Sequence, residues 1–221
     1  MMQQLVHVCV DFDGTITLED STKKLFDRYA DPAWMDVERS WEAGLIDARE
    51  CLVRQIDLLR VSPEKYDEFA KAIEIDAAFC EFVNFCRRMD IPVTIVSDGL
   101  DRTIKAVLER AGLKLDFHAN RLEWRGDKWH VSFPGARDGC GTYSANCKCQ
   151  FSETTDKVVQ VLIGDGRSDF CLAGRCDLVL AKGALAEYCR DRLINHLPIS
   201  NFTEANQLFS KALDLNPVGH R

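Results

Sequence analysis

The sequence has no apolar run as long as a membrane-spanning helix needs, and its first residues form no basic and apolar leader. It also lacks a basic excess, since 28 Lys and Arg face 35 Asp and Glu, for a net charge of −7. Because such a chain is not drawn to anionic surfaces, we expect no nucleic acid or membrane partner. We expect a cytoplasmic location because no leader pattern is seen. Repeats and low-complexity linkers are absent too. The 221 residues, 46% of them hydrophobic, therefore predict one large domain or a core with an insertion.

Ten cysteines are present, and in a reducing compartment we expect most of them to be small core side chains. Cys140, Cys147 and Cys149 are closely spaced, and they would bind Zn²⁺ if a fourth ligand such as His118 or His130 joined them. Ordinary reduced thiols are the favoured interpretation, because structural zinc sites are typically built from CxxC pairs.

The most informative stretch is residues 8–17, VCVDFDGTIT. The apolar run that ends at Val10 predicts a buried parallel strand, and Asp11 and Asp13 follow its carboxyl end, where ligands bind in open α/β sheets. Two crowded carboxylates repel each other unless a cation or a shared proton intervenes. The pattern favours a Mg²⁺ site with one carboxylate available as a nucleophile, and a solvated turn is the alternative.

Helical periodicity runs from residue 18 to residue 89, and strands then alternate with helices to the end of the chain. This pattern predicts an α/β fold with a doubly wound, mostly parallel sheet. Residues 1–17 and 90–221 would form its core, and residues 18–89 a helical cap. A small β-hairpin is predicted from residues 121–124 and 128–133.

Three predicted strands end in polar residues: Asp11 and Asp13 after the first, Ser97 after the second, and Asp165 and Asp169 after a later one. A doubly wound sheet brings these strand ends to one edge. The sequence therefore predicts that the polar groups converge in one site.

The order of these motifs (DxDGT, a strand ending in Ser, a Lys, and GDGxxD) resembles the haloacid dehalogenase-like phosphohydrolase superfamily. The helical insert resembles the cap of its phosphoserine phosphatase-like group. The resemblance implies a Rossmann-like core and a phosphatase that hydrolyses a small-molecule phosphate ester through an aspartyl-phosphate, with Mg²⁺. We expect a monomer or a homodimer. A phosphate-binding or receiver-like regulatory module is the alternative from another class.

The resemblance also implies a role for each acidic residue. Asp11 would be the nucleophile and a metal ligand. Asp13 would be the general acid and then the general base, with its backbone carbonyl on the metal. Asp165 would bind the metal directly, and Asp169 would hold a metal-bound water or position Asp165.

The phosphate would be bound by Ser97 and nearby backbone amides, including that of Gly99, with Thr15 orienting the first loop. Asp98 stands where many members of the superfamily have Gly. Because a carboxylate aimed inward would repel phosphate, we expect Asp98 to point away or to bind a substrate hydroxyl.

The site also needs a Lys to offset the repulsion between carboxylates and phosphate. Lys148 and Lys157 are the candidates, and Lys148 is favoured. Lys157 precedes the strand that leads to Asp165 and would lie roughly 25 Å away at about 3.3 Å per residue.

Substrate preference is expected to come from the cap. In phosphoserine phosphatases, a cap Arg binds the amino acid carboxylate and an acidic residue after the first motif binds the ammonium group. Glu19 or Asp20 would supply the acid here. The arginine position falls on Gln55, and Arg54, one residue away, would be rotated by about 100° around a helix. Asp20 and Arg54 are thus the candidate specificity residues for phosphoserine.

A second resemblance is to the 2-hydroxy-3-keto-5-methylthiopentenyl-1-phosphate phosphatases of methionine salvage. It is carried by residues 31–35 (DPAWM), the Cys-rich loop before Lys148, and residues 195–198 (NHLP). Trp34, Met35 and Trp41 are candidates for an apolar pocket around a methylthio tail, although core packing is the alternative for each. We therefore expect a phosphate ester with an uncharged tail, and phosphoserine is the alternative substrate.

Overall fold

A seven-stranded sheet forms the centre of the protein in the computed structural model, which describes residues 5–137, 139–140, 144–152 and 158–215. The strands are β1 (Leu5–Val10), β2 (Val93–Leu100), β3 (Asp116–Arg125), β4 (Lys128–Ser132), β5 (Val158–Gly164), β6 (Leu178–Ala181) and β7 (His196–Pro198). Their order across the sheet is β4-β3-β2-β1-β5-β6-β7. Every neighbouring pair is parallel except β3 and β4, which are antiparallel. The predicted fold class, a Rossmann-like and mostly parallel sheet, is confirmed.

Helices cover both faces of this sheet. They are α1 (Ser21–Tyr29), α2 (Trp34–Glu42), α3 (Ala48–Asp57), α4 (Pro63–Lys71), α5 (Ala77–Arg88), α6 (Asp101–Ala111), α7 (Phe170–Ala173), α8 (Gly183–Asp191) and α9 (Phe202–Leu215). Two 3₁₀ turns lie at Lys148–Phe151 and Arg167–Asp169. None of the helices in the described part of the chain is long and apolar enough to cross a membrane.

Strand β1 is buried on both faces, which explains its continuous apolar sequence. Val8 and Val10 belong to a core cluster that includes residues of α5 and α9. Cys9 points to the opposite face, in a smaller cluster with Leu172 and Leu185. A strand enclosed in this way holds the residues that follow it in fixed positions.

Helices α1 to α5 all lie between β1 and β2 in the chain. Four of them begin after a capping residue: Asp20, Asp47, Ser62 and Asp76 each accept a backbone N–H from the first turn of the following helix. The division into a core (1–17 and 90–221) and a cap (18–89) stays a prediction.

Helix α4 is attached to the sheet side of the protein at two places. The guanidinium of Arg102 on α6 pairs with the carboxylate of Asp67 through two hydrogen bonds of 2.7 Å. Trp129 on β4 packs on Tyr66 with ring centroids 5.0 Å apart, and its indole N–H donates to the carbonyl of Val61 at 2.8 Å. The hairpin of β3 and β4 therefore supports the helical insert.

The hairpin differs from its prediction in one respect. The hairpin was predicted to begin at residue 121, whereas β3 begins at Asp116 and runs through Asn120 as one strand of ten residues. Asn120 is completely buried, and its amide N–H₂ donates to the carbonyl of Asp98 at 2.6 Å. This hydrogen bond to β2 offsets the cost of burying the N–H₂ group, while the side-chain oxygen of Asn120 has no partner among the described residues.

Candidate active site

The carboxyl ends of β1 and β5 bring three acidic side chains together. The two strands are adjacent and parallel, and the backbone N–H of Asp11 donates to the carbonyl of Ile163 at 2.8 Å. Carboxylate oxygens of Asp11, Asp165 and Asp169 all lie within 4.8 Å of one another. The predicted convergence of these three residues is what the structure shows.

Lys148 lies between two of these carboxylates and is completely buried. Its Nζ is 2.6 Å from Oδ1 of Asp11 and 2.7 Å from Oδ1 of Asp169. Burial by itself would lower the pKa of Lys148, but the two carboxylates outweigh this effect and raise the pKa, so the ammonium stays charged. Lys157, the other candidate, lies outside the described residues.

Asp169 also fixes the turn that carries Asp165. Its Oδ2 accepts the backbone N–H groups of Asp165 at 3.2 Å and of Gly166 at 3.1 Å. A Cβ at Gly164 would lie 2.5 Å from this same oxygen, so the close approach requires glycine. Asp169 is therefore placed to position Asp165.

The first loop orients Asp165 from the other side. The hydroxyl of Thr15 donates to Oδ1 of Asp165 at 3.2 Å. Gly14 has a φ of +71°, and a Cβ there would lie 2.5 Å from the Asp165 carboxylate. The ammonium of Lys182 donates to the carbonyl of Gly14 at 2.8 Å and fixes this turn.

Asp13 has surroundings unlike those of Asp11. Its Oδ1 accepts the backbone N–H of Ser21 at 2.8 Å and also the Ser21 hydroxyl. Burial, and then the nearby charge of Asp20, raises the pKa of Asp13 to about 7. Burial raises the pKa of Asp11 to about 6 against the opposing effect of Lys148. Two carboxylates in such different environments are suited to different chemical roles.

Asp98 points toward the loop that carries Lys148. One of its oxygens accepts the backbone N–H of Asn146 at 2.6 Å, and the other accepts that of Ala145 at 3.3 Å. The preceding Ser97 is 1% exposed, and its hydroxyl oxygen accepts the N–H of Gly99 at 2.9 Å. The carboxylate of Asp98 therefore holds the lysine loop, and its expected direction relative to a bound phosphate stays a prediction.

A cavity of about 290 Å³ opens above these groups. Residues that follow the strands form its floor. Its other walls come from helices α1, α2 and α3 and from the residue before α1, and they include Asp20, Thr22, Glu38, Trp41, Ala48, Cys51, Leu52 and Gln55. Within the described ranges, Arg167 is the only Lys or Arg that lines the cavity. Its guanidinium carbon lies 6.0 Å from the ring centroid of Trp41.

The two candidate specificity residues are placed differently. Asp20 lines the cavity, whereas Arg54 does not and instead pairs with Glu50 on the exposed side of α3. The neighbouring Gln55 is the residue that faces inward, and its amide N–H₂ donates to Oε2 of Glu38 at 2.7 Å. One step along a helix thus separates a cavity residue from a surface residue.

Of the three apolar candidates, only Trp41 lines the cavity. Trp34 packs on Phe26 with ring centroids 5.8 Å apart, and Met35 is 45% exposed. Sequence reasoning missed Glu38 as a cavity residue, because a Glu on an amphipathic helix carries no signal of which neighbour it will face.

The acidic cluster suits a divalent cation. The three carboxylates and one ammonium leave two negative charges in a largely buried space. Burial raises the pKa of Asp169 to about 6 and also raises the pKa of Asp165. The positive charge of Lys148 therefore does not fully offset the negative charges of these carboxylates. Carboxylate and carbonyl oxygens are the ligands that Mg²⁺ prefers, and the donor set fits that ion.

Residues 8–174 match the haloacid dehalogenase-like hydrolase family. A 2-hydroxy-3-keto-5-methylthiopentenyl-1-phosphate phosphatase from Exiguobacterium sp. is 32% identical over 203 residues, which are 89% of this chain and 93% of that protein. The protein of the same name from Geobacillus kaustophilus is 30% identical over 207 residues, covering 91% and 94% of the two chains.

Two solved structures show the same fold. One is a substrate-bound phosphoserine phosphatase complex, with a TM-score of 0.70 and 18% identity over 94% of this chain and 99% of that chain. The other is a probable phosphoserine phosphatase from Vibrio cholerae, with a TM-score of 0.71 and 17% identity over 99% of this chain and 68% of that chain. At these identities the likeness concerns the fold alone.

Proposed function

This chain belongs to the haloacid dehalogenase-like hydrolase family. We propose that it is a cytoplasmic, Mg²⁺-dependent phosphatase in which Asp11 takes the phosphoryl group from the substrate and then releases it to water. The expectation of a phosphatase agrees with the family match and with the phosphatases among its relatives. The observation that carries the proposed mechanism is the buried contact of Lys148 with Asp11 and Asp169.

Asp11 is the proposed nucleophile. Lys148 holds one of its oxygens at 2.6 Å, which keeps the carboxylate ionised and leaves the other oxygen to attack phosphorus. The bond from phosphorus to the ester oxygen breaks as the bond to Asp11 forms. The Lys148 ammonium then lies beside the negative charge that the reacting phosphoryl group carries.

Asp13 is the proposed general acid and base. Its protonated carboxyl gives a proton to the departing alkoxide, and its carboxylate then takes a proton from the water that releases phosphate from Asp11. A pKa of about 7 allows both protonation states near neutral pH. The hydroxyl and the N–H of Ser21 fix the carboxyl group for both steps.

Asp11, Asp165 and the backbone carbonyl of Asp13 would hold the Mg²⁺. When bound, Mg²⁺ supplies positive charge that allows an anionic ester to enter a site lined by carboxylates. Thr15 and Asp169 orient Asp165 for this purpose.

The proposed substrate is a phosphate ester with an uncharged tail, such as 2-hydroxy-3-keto-5-methylthiopentenyl 1-phosphate. Asp20 would pair with the ammonium group of phosphoserine, but Glu38 faces the cavity beside Gln55, the position of the carboxylate-binding arginine. The carboxylate of phosphoserine would therefore meet a group of like charge there. Trp41 and Leu52 offer apolar surface for a methylthio group. Glu38 is placed to accept a hydrogen bond from a substrate hydroxyl.

Phosphate release from p-nitrophenyl phosphate tests the activity. We expect turnover that requires added Mg²⁺, is lost with EDTA and is absent in Asp11→Asn, which is nearly isosteric but cannot attack phosphorus. Asp127→Asn, an exposed change at the hairpin turn, is the matched control and should keep full activity. If Asp11→Asn retained more than a trace of Mg²⁺-dependent activity, the nucleophile would have to be sought elsewhere.

Comparing kcat/KM on two substrates tests the preference. We expect the methylthio diketone phosphate to exceed phosphoserine by at least about tenfold, the equivalent of about 1.4 kcal/mol. A tenfold preference for phosphoserine would instead place its carboxylate near Arg167 and would overturn the proposed substrate.

A further inference from the structure

A second cluster of possible metal ligands lies behind Lys148. The Sγ atoms of Cys140, Cys147, Cys149 and Cys171 all lie within 4.8 Å of one another. The sequence indicated the first three, and the fourth member is Cys171 rather than His118 or His130. Cys171 comes from helix α7, which folds back against the 3₁₀ turn that contains Cys149.

We propose that these four cysteines bind a structural Zn²⁺ ion. A tetrahedron of Zn–S bonds of about 2.3 Å places its sulfur atoms about 3.8 Å apart. The Cys147 and Cys149 sulfurs lie 3.1 Å apart, and every other pair lies within 4.8 Å, so small side-chain shifts complete the site. Four thiolates and no open position are typical of structural zinc.

The four cysteines line a second cavity, separate from the one above the carboxylates, and four arginines among the described residues line it too and supply compensating charge. They are Arg137, Arg167, Arg175 and Arg192. One Zn²⁺ with four thiolates carries two negative charges, because each thiol gives its proton to water when its sulfur binds the metal. Guanidinium groups near the sulfurs stabilise that charged product.

A disulfide explains the cluster less well. A single S–S bond would use two of the four sulfurs and leave the other two in the same confined space. The pair at 3.1 Å is also well beyond the bonded distance of about 2.05 Å. A tetrahedral ion uses all four cysteines at once.

The proposed zinc would hold the two segments that place Lys148. Cys147 and Cys149 flank Lys148 directly, and Cys171 follows Asp169 by two residues. The ion would thus join the lysine loop to the segment of the carboxylate that the lysine contacts. This positioning role rests on the proposed phosphatase function, whereas the binding of zinc does not.

Metal analysis of the full chain, purified without chelators and under reducing conditions, is the first test. We expect about one zinc per chain. Less than about 0.1 zinc per chain, or iron in place of zinc, would overturn the proposal. Replacement of zinc by Co²⁺ should give thiolate-to-cobalt charge-transfer absorption, and a spectrum without it would count equally against four thiolate ligands.

Single Cys→Ser variants provide the second test. Cys171→Ser should lower the zinc content at a fixed chelator concentration by at least about 10-fold. Cys80→Ser, a half-buried cysteine on α5, is the matched control and should keep its zinc. If Cys171→Ser fails to fold, titration of the wild type with a mercurial reagent should release one zinc as the clustered thiols react. Release of none would overturn the site.

The metal analysis and the activity assay test the zinc site and the proposed function separately. A protein that holds zinc but shows no Mg²⁺-dependent hydrolysis would support this site and overturn the proposed function. A fully active protein without zinc would support the proposed function and overturn the zinc site.

Discussion

The carboxylate of Asp98 accepts the backbone N–H of Asn146 at 2.6 Å, and this hydrogen bond joins the end of β2 to the loop that carries Lys148. A second backbone N–H, from Ala145, reaches the other carboxylate oxygen. Asp98 is therefore a positioning residue, which acts on the proposed reaction through Lys148.

Asp98→Asn should weaken the lysine loop, because its amide N–H₂ would face a backbone N–H that needs an acceptor. We expect the free energy of unfolding to fall by about 1–3 kcal/mol and kcat to fall with it, while KM changes little. Urea unfolding and steady-state kinetics measure the two effects. An unchanged kcat together with the lost stability would reduce Asp98 to a purely structural role.

The loss of activity caused by Asp13→Asn should depend on the leaving group of the ester. p-Nitrophenolate departs without a proton, whereas an alkoxide needs one from Asp13. We therefore expect the loss in kcat/KM on an alkyl phosphate to exceed the loss on p-nitrophenyl phosphate by at least about tenfold. Equal losses on the two esters would argue against an acid role.

Lys148→Ala should remove a positive charge from beside the reacting phosphoryl group and lower kcat by about 10²-fold or more. Lys105→Ala, whose side chain is 70% exposed on α6, is the control and should leave kcat unchanged. Lys157→Ala should also have little effect. A larger loss in kcat for Lys157→Ala than for Lys148→Ala would assign the cationic role to Lys157.

The sequence predicted most of the sheet and of its acidic cluster, because strand ends and capping residues are local signals. Asp47, Ser62 and Asp76 are capping residue types, and each caps the helix that follows it. Asp20 and Ser21 are both capping residue types, and it is Asp20 that caps α1 while Ser21 contacts Asp13. Adjacent residues of similar chemistry compete for a cap, and only the tertiary structure decides between them.

Residues whose role depends on how separate segments meet were harder to predict. Glu38 faces the cavity because α2 packs on α3, where Gln55 donates to it. Cys171 joins three cysteines that lie more than twenty residues earlier, and no spacing rule connects them. In such cases hydrophobic periodicity predicts the helix or strand but not the direction in which one of its polar side chains points.

Glu38→Gln should weaken discrimination against phosphoserine, because it removes one of the negative charges that face the amino acid carboxylate. Asp20 stays in place for the ammonium group, so only the group at the arginine position changes. We expect the ratio of kcat/KM for the methylthio diketone phosphate to that for phosphoserine to fall by at least about fivefold, the equivalent of about 1 kcal/mol. Asp36→Asn, an exposed change on the same helix, should leave the ratio unchanged. If both variants gave the same ratio as the wild type, substrate choice would not depend on Glu38.

The position of β1 in the middle of the sheet has a consequence for synthesis. Its neighbour β5 begins about 150 residues later in the chain, so β1 is synthesised well before this partner. At a ribosomal rate of about 5–20 residues per second, β1 waits roughly 7–30 s for this partner. During that interval one edge of an apolar strand has no native neighbour, and an edge of this kind is prone to pair with other chains. The nascent chain therefore carries its greatest risk of aggregation before the segment that completes the active site has been translated.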